Sequence, residues 1–221
     1  MRDTNKDPAM KAFKKTSKEF WDNIEVWTNP SIVNAVFCGK TPLHKKIYEE
    51  CQRYDKWTHS FSKDFPEELI YNIATLSGGP IERWDDIQKK WAIYSSNAPS
   101  GVNWQYFWTL PKKEDFPTIH EFLSLYPQYK NPIVAKLGPF EKILVHDHGP
   151  EPQFLYNMSI NEPDGSKSAI YPTGIIPYKP GDIYKLYVHN KHAVINGNED
   201  RYHLMFKGGR IEQETSAIRE N

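Results

Sequence analysis

The stretch EKILVHDHGPEPQFLYNMSI, residues 141–160, holds two short apolar segments on either side of a Gly-Pro break. EKILVHDH and QFLYNMSI are too short for ordinary helices, and their β-branched and aromatic residues suit strands. No helix fits between them, so this part of the chain reads as strand after strand. Strand alternation then sorts the side chains. With EKILVHDH extended, Lys142, Leu144, His146 and His148 share one face, and Ile143, Val145 and Asp147 share the other. His146 and His148 can converge on one point, whereas Asp147 turns away.

The same texture continues on both sides of this stretch. PIVAKL, SAIYP, DIYKLYVH, HAVIN and RYHLMF read as further strands, separated by the turn formers NEPDGS, KPGD and NGNED. Closely spaced strands without intervening helices imply a barrel or jelly roll. Before about residue 130 the pattern is helical. AMKAFKKTSKEFWDNIEVW spaces Phe13, Phe20, Ile24 and Trp27 along one helix face. PLHKKIYEECQRYDKW and FPEELIYNIATL each open with an early proline. DFPTIHEFLSLYP has Asp115 as the expected cap and Pro127 past its end. The expected organisation is one domain over 1–221, with a mostly helical extension (1–88) packed on a β core (89–210).

Composition narrows the function classes. Lys plus Arg equals Asp plus Glu at 28 each, so no net field draws the chain to nucleic acid or an acidic membrane. No stretch approaches the roughly 20 apolar residues of a membrane span, and the first residues carry no apolar signal segment. Cys38 and Cys51 form neither a metal-ligand spacing nor a disulfide framework, which implies a reducing, cytoplasmic setting. Seven Trp and thirteen Tyr suit a β-rich core with a ligand cavity. The oligomeric state is not legible.

Five of the eight histidines lie between positions 146 and 203, inside the β-rich part. His192 precedes a short apolar strand, and Arg201 opens the next one. On that strand Arg201, His203 and Met205 share a face, opposite Tyr202, Leu204 and Phe206. A cation projecting into a barrel is costly unless an anion meets it. Arg201 is therefore a candidate carboxylate clamp, since guanidinium grips carboxylate at two points. His189, beside Asn190 and Lys191, reads as a surface or hydrogen-bonded residue.

FPTIHEFLSLYP at 116–127, LGPFEKILVHDHGP at 137–150, PGDIYKLYVHNKHAV at 180–194 and RYHL at 201–204 occur in this order. Together they resemble the aspartyl/asparaginyl β-hydroxylase family of iron(II)- and 2-oxoglutarate-dependent dioxygenases, over roughly residues 90–206. The resemblance implies a double-stranded β-helix (a cupin-like jelly roll) that holds Fe(II) and uses 2-oxoglutarate and O2. It assigns the first iron-binding histidine to His146, the second to His192, and the arginine that grips the distal carboxylate of 2-oxoglutarate to Arg201. Two departures stand out. One extra residue precedes Gly149-Pro150, so His148 is a third ligand, a neighbour of the metal or, in a shifted register, the first ligand. Asn157 stands where the family often has a histidine touching the cosubstrate.

Ser159, on the Asn157 face, and His203, beside Arg201, are further candidates for contact with the cosubstrate. The implied reaction is hydroxylation of an unactivated C–H on a peptidyl Asp/Asn-like or small-molecule substrate, with succinate and CO2 as co-products. Trp91 to Trp108 is a candidate for part of the substrate mouth. Two other readings remain open: a cupin-like three-His metalloenzyme without 2-oxoglutarate, and a non-catalytic β-barrel binding module.

Overall fold

The β-rich half folds as short strands because each carries one apolar or cavity-lining face and one face that packs outward. The computed structural model describes residues 8–59, 82–85, 90–93, 106–148 and 152–210. Eight strands run through the C-terminal part: β6 (Ile133–Leu137), β7 (Lys142–His146), β8 (Gln153–Ser159), β9 (Lys167–Ile170), β10 (Gly174–Ile176), β11 (Asp182–Leu186), β12 (His192–Ile195) and β13 (Arg201–Arg210). They divide between two antiparallel sheets, in the orders β11-β8-β13-β6 and β10-β9-β12-β7. This interleaved order is that of a double-stranded β-helix, as the sequence implied.

The N-terminal half contributes strands as well as helices. β1 (Ala35–Lys40) adds to the outside of β11, while β5 (Tyr106–Thr109) and β2 (Thr58–His59) extend the sheet beyond β6, making seven strands in all. A separate hairpin pairs β3 (Glu82–Asp85) with β4 (Lys90–Ile93). The helices are α1 (Pro8–Trp27), α2 (His44–Arg53) and α3 (Pro117–Leu125). The helix expected in FPEELIYNIATL and the middle of the Trp91–Trp108 stretch lie outside the described residues. Among these, no helix is long and apolar enough to cross a membrane. Cys38 and Cys51 are both free thiols.

Much of the apolar packing lies outside the sandwich. Ile47 and Cys51 of α2 and Ile119 and Phe122 of α3 cover the outer face of the larger sheet, against Met158, Leu204 and Phe206. Phe20 and Ile24 of α1 cover the smaller sheet at Val145, Ala169 and Ala193. Each fully buried large side chain of this kind contributes about 1.5–3 kcal/mol. The start of α3 differs from the sequence expectation. Asp115 does not cap it; the cap position is Phe116, without a side-chain bond. A carboxylate from another helix serves instead, with Thr118 donating its backbone N–H to the buried Glu50 Oε1 at 2.9 Å.

One irregularity bears on the site. β7 pairs with β12 through His146↔His192 and Ile143↔Val194, so β7 has one residue more than its partner between these pairs. The bulge resets the alternation. Ile143 lines the same cavity as His146, while Val145 packs under α1. The expectation that Ile143 shares a face with Val145 is corrected by this extra residue.

Candidate metal centre and ligand cavity

His146 ends β7 and His192 begins β12, directly across the ladder. Cross-strand neighbours stand close enough to share a small ligand, and the two ring centroids are 4.2 Å apart. His148 follows in the loop, where its backbone N–H donates to Val188 O at 2.9 Å. Its ring centroid is 4.8 Å from that of His192 and 5.3 Å from that of His146. One nitrogen from each of the three rings lies within 4.8 Å of the others. Asp147 is not part of this group, in line with its expected outward direction.

The tautomer of His192 is set by its neighbour. His192 Nδ1 donates to Asn190 O at 2.8 Å, which leaves Nε2 as the lone-pair nitrogen. Burial, opposed by the Asn190 bond and the Asp147 charge, lowers the His192 pKa, so the ring stays neutral and ready to ligate. Three imidazoles without a thiolate suit a divalent first-row metal such as Fe(II), and the residues fit one.

The three histidines open onto a cavity of about 100 Å³ between the sheets. Leu155, Ile170, Ile176, Leu186 and Val188 form one apolar wall. Arg201, Ser168, His203, Asn157 and Tyr178 supply the polar part. Arg201 is 3% exposed, and its anion is Glu162. Arg201 Nη2 donates to Glu162 Oε1 at 2.9 Å and to Ser168 Oγ at 2.8 Å. Among the described residues, Arg201 Nε and the Tyr178 hydroxyl are buried polar atoms without a hydrogen-bond partner. Buried polar atoms of this kind mark a place where a ligand's oxygens fit. Burial raises the Tyr178 pKa, so its phenol remains a donor.

His203 bridges Glu162 and Asn157. Its Nε2 donates to Glu162 Oε1 at 3.1 Å, which leaves Nδ1 of the neutral ring to accept from the Asn157 side-chain amide. Asn157 and His203 therefore face the cavity together. Ser159 does not line it; its hydroxyl donates to Glu162 Oε1 at 2.8 Å. His189 is tied to the backbone of Gln153, away from the three-His group.

Glu162, Ser168 and Tyr178 are the residues the sequence reading missed. For Glu162 a signal existed, because a buried arginine requires a nearby anion. Its place inside the turn former NEPDGS concealed it. For Tyr178 and Ser168 no pattern in the sequence points inward.

The protonation of this group has a pH signature. Burial, then the charge of Arg201, lowers the His203 pKa to about 4 against the pull of Glu162. The unfolded ring takes its proton near 6.5, so between that pH and about 4 the unfolded state binds more protons. Stability is therefore expected to fall as pH drops through this window, by on the order of 3 kcal/mol for this group. Burial alone raises Glu162, but the His203 hydrogen bond and the Arg201 charge overcome it and hold the carboxyl at about 2. That contribution persists above the ordinary carboxylate range and is lost only at still lower pH. Urea unfolding of the metal-free protein across pH 7 to 4 tests the slope, and His203→Gln is expected to flatten it.

No family model and no curated protein matches the chain. Among solved structures, it is similar to a prolyl hydroxylase from Trichoplax adhaerens in complex with a hypoxia inducible factor oxygen degradation domain peptide fragment. That match has 10% identity, spans 100% of both chains and has a TM-score of 0.47. HygX from Streptomyces hygroscopicus, with nickel, 2-oxoglutarate and hygromycin B bound, matches at 10% identity over 93% of this chain and 94% of its own, with a TM-score of 0.47. A predicted oxalate decarboxylase from Thermotoga maritima matches at 17% identity over 48% of this chain and 81% of its own, with a TM-score of 0.32. The fold assignment rests on the strand order described above.

Proposed function

We propose that the chain is an Fe(II)- and 2-oxoglutarate-dependent oxygenase that hydroxylates an unactivated C–H of a peptidyl Asp/Asn-like or small-molecule substrate. The observation that carries this reading is one cavity with three imidazoles and a buried guanidinium on its walls. His146 and His192 would hold the metal, with His148 as the third nitrogen. With iron bound, O2 would be the oxidant, one of its oxygen atoms going to the hydroxylated product and the other to succinate as 2-oxoglutarate loses CO2.

The chain's own residues hold and orient. Arg201 and the Tyr178 hydroxyl give the far end of the keto acid a charged and a neutral donor. His203 and Asn157 fix each other beside that end. Ser159 acts through Glu162. The apolar wall from Leu155 to Val188 excludes water from the reacting end of the cavity.

The test is anaerobic addition of Fe(II) and 2-oxoglutarate, followed by a search for the weak visible metal-to-ligand band. The band is expected, and its absence at saturating metal sinks the reading. A second reading is a cupin-like three-His metalloenzyme that does not use 2-oxoglutarate, and the pairing of Arg201 with Glu162 favours it. It expects bound metal, no such band and no succinate.

A further inference from the structure

Glu162 sits on the connection between β8 and β9, with its side chain 14% exposed against 2% for Arg201. Its Oε1 is a shared acceptor for Arg201 Nη2 at 2.9 Å, Ser159 Oγ at 2.8 Å and His203 Nε2 at 3.1 Å. The second hydrogen of Arg201 Nη2 goes to Ser168 at 2.8 Å. A guanidinium binds carboxylate in two-point fashion along either the Nε–Nη2 or the Nη1–Nη2 edge. Both edges need Nη2, and both Nη2 hydrogens are committed. A guest carboxylate therefore meets Arg201 one hydrogen bond at a time.

The charges lead to the same place. Arg201 and Glu162 cancel, and His203 is neutral, so this part of the cavity carries no net charge before a ligand arrives. A distal carboxylate entering it is a second anion on one cation, in a buried place where an excess charge is costly. An uncharged tail meets no such opposition.

Resting on the 2-oxo acid reading above, we propose that Glu162 is a cosubstrate-selecting residue. It competes with the distal carboxylate for Arg201, so 2-oxoglutarate holds little advantage over a 2-oxo acid of the same length with an uncharged tail. Glu162 is thus a specificity residue acting on the cosubstrate, distinct from the residues that hold the metal.

The experiment measures binding of 2-oxoglutarate and 2-oxopentanoate by calorimetry to protein loaded with redox-inert Ni(II). Wild type is expected to prefer 2-oxoglutarate by less than about tenfold. Glu162→Gln, which keeps the volume and an acceptor oxygen, is expected to tighten 2-oxoglutarate by about tenfold or more while 2-oxopentanoate changes little. Thermal melts provide a second readout: without ligand the variant melts lower, because Arg201 is left unpaired, and 2-oxoglutarate raises its melting point further than that of wild type. A wild type that already prefers 2-oxoglutarate by more than about tenfold overturns the proposal, and that measurement needs no variant. Unchanged or weakened 2-oxoglutarate binding in Glu162→Gln overturns it as well, leaving the 2-oxo acid reading intact. If neither keto acid binds the metal-loaded wild type, both fall.

Discussion

His192→Ala is expected to weaken Fe(II) binding by on the order of a hundredfold or more and to abolish the visible band with 2-oxoglutarate. Loss of a group that merely orients a metal ligand costs about 10–100-fold, and loss of the ligand itself costs at least that. His192 is held by its ladder position opposite His146 and by the Nδ1 bond to Asn190, so no neighbouring side chain slides into its place. Anaerobic Fe(II) titration measures the loss. His148→Ala measured the same way separates its roles. A loss matching that of His192→Ala makes it the third ligand, and a loss near tenfold makes it a neighbour.

Arg201→Met is expected to be the most destabilising change in the cavity. It removes the cation and leaves Glu162 in a site where its carboxylate has lost its counter-charge. Breaking a buried pair on one side costs about 3–5 kcal/mol, while removing both partners is far milder. Arg201→Met with Glu162→Gln is therefore expected to recover most of that loss in denaturant unfolding of the metal-free protein. Fe(II) binding should survive in Arg201→Met, since neither Arg201 nor Glu162 belongs to the three-His group, whereas 2-oxoglutarate binding should weaken. Equal instability of the single and double variants would remove the ion pair as the cause.

Most of the β-rich half was legible because alternation and turn chemistry are local. The strands at 133–137, 142–146, 153–159, 182–186 and 192–195 fall on segments read from sequence, and β13 begins on RYHLMF and runs four residues past it. β10 was not anticipated: three residues between turns carry no period. β1 was not anticipated either, because AVFCGK becomes a strand only by pairing with Asp182–Leu186, far along the chain. The same limit applies in the site. Strand parity places His146 with His148 on one face and Arg201 with His203 on another, whereas the pairing of His146 with His192 is implied by the family resemblance. Glu162 reaches Arg201 across 39 residues, and nothing local to NEPDGS indicates it. The bulge in β7 is invisible for a similar reason, since an extra residue exists only relative to a partner strand.

The placement of apolar packing on the outer faces of the two sheets has a consequence for how this fold can change. Substitutions under α1, α2 and α3 tax the folding equilibrium, whereas those on the inward faces reshape a cavity whose walls bear less of that load. A mutational scan should accordingly split into abundance-sensitive and chemistry-sensitive positions, alternating along β8 and β13 with a period of two. Arg201, Glu162 and the apolar wall from Leu155 to Val188 join the two classes. That separation leaves the cavity open to new substrates by a few inward replacements, with the scaffold around it unaltered.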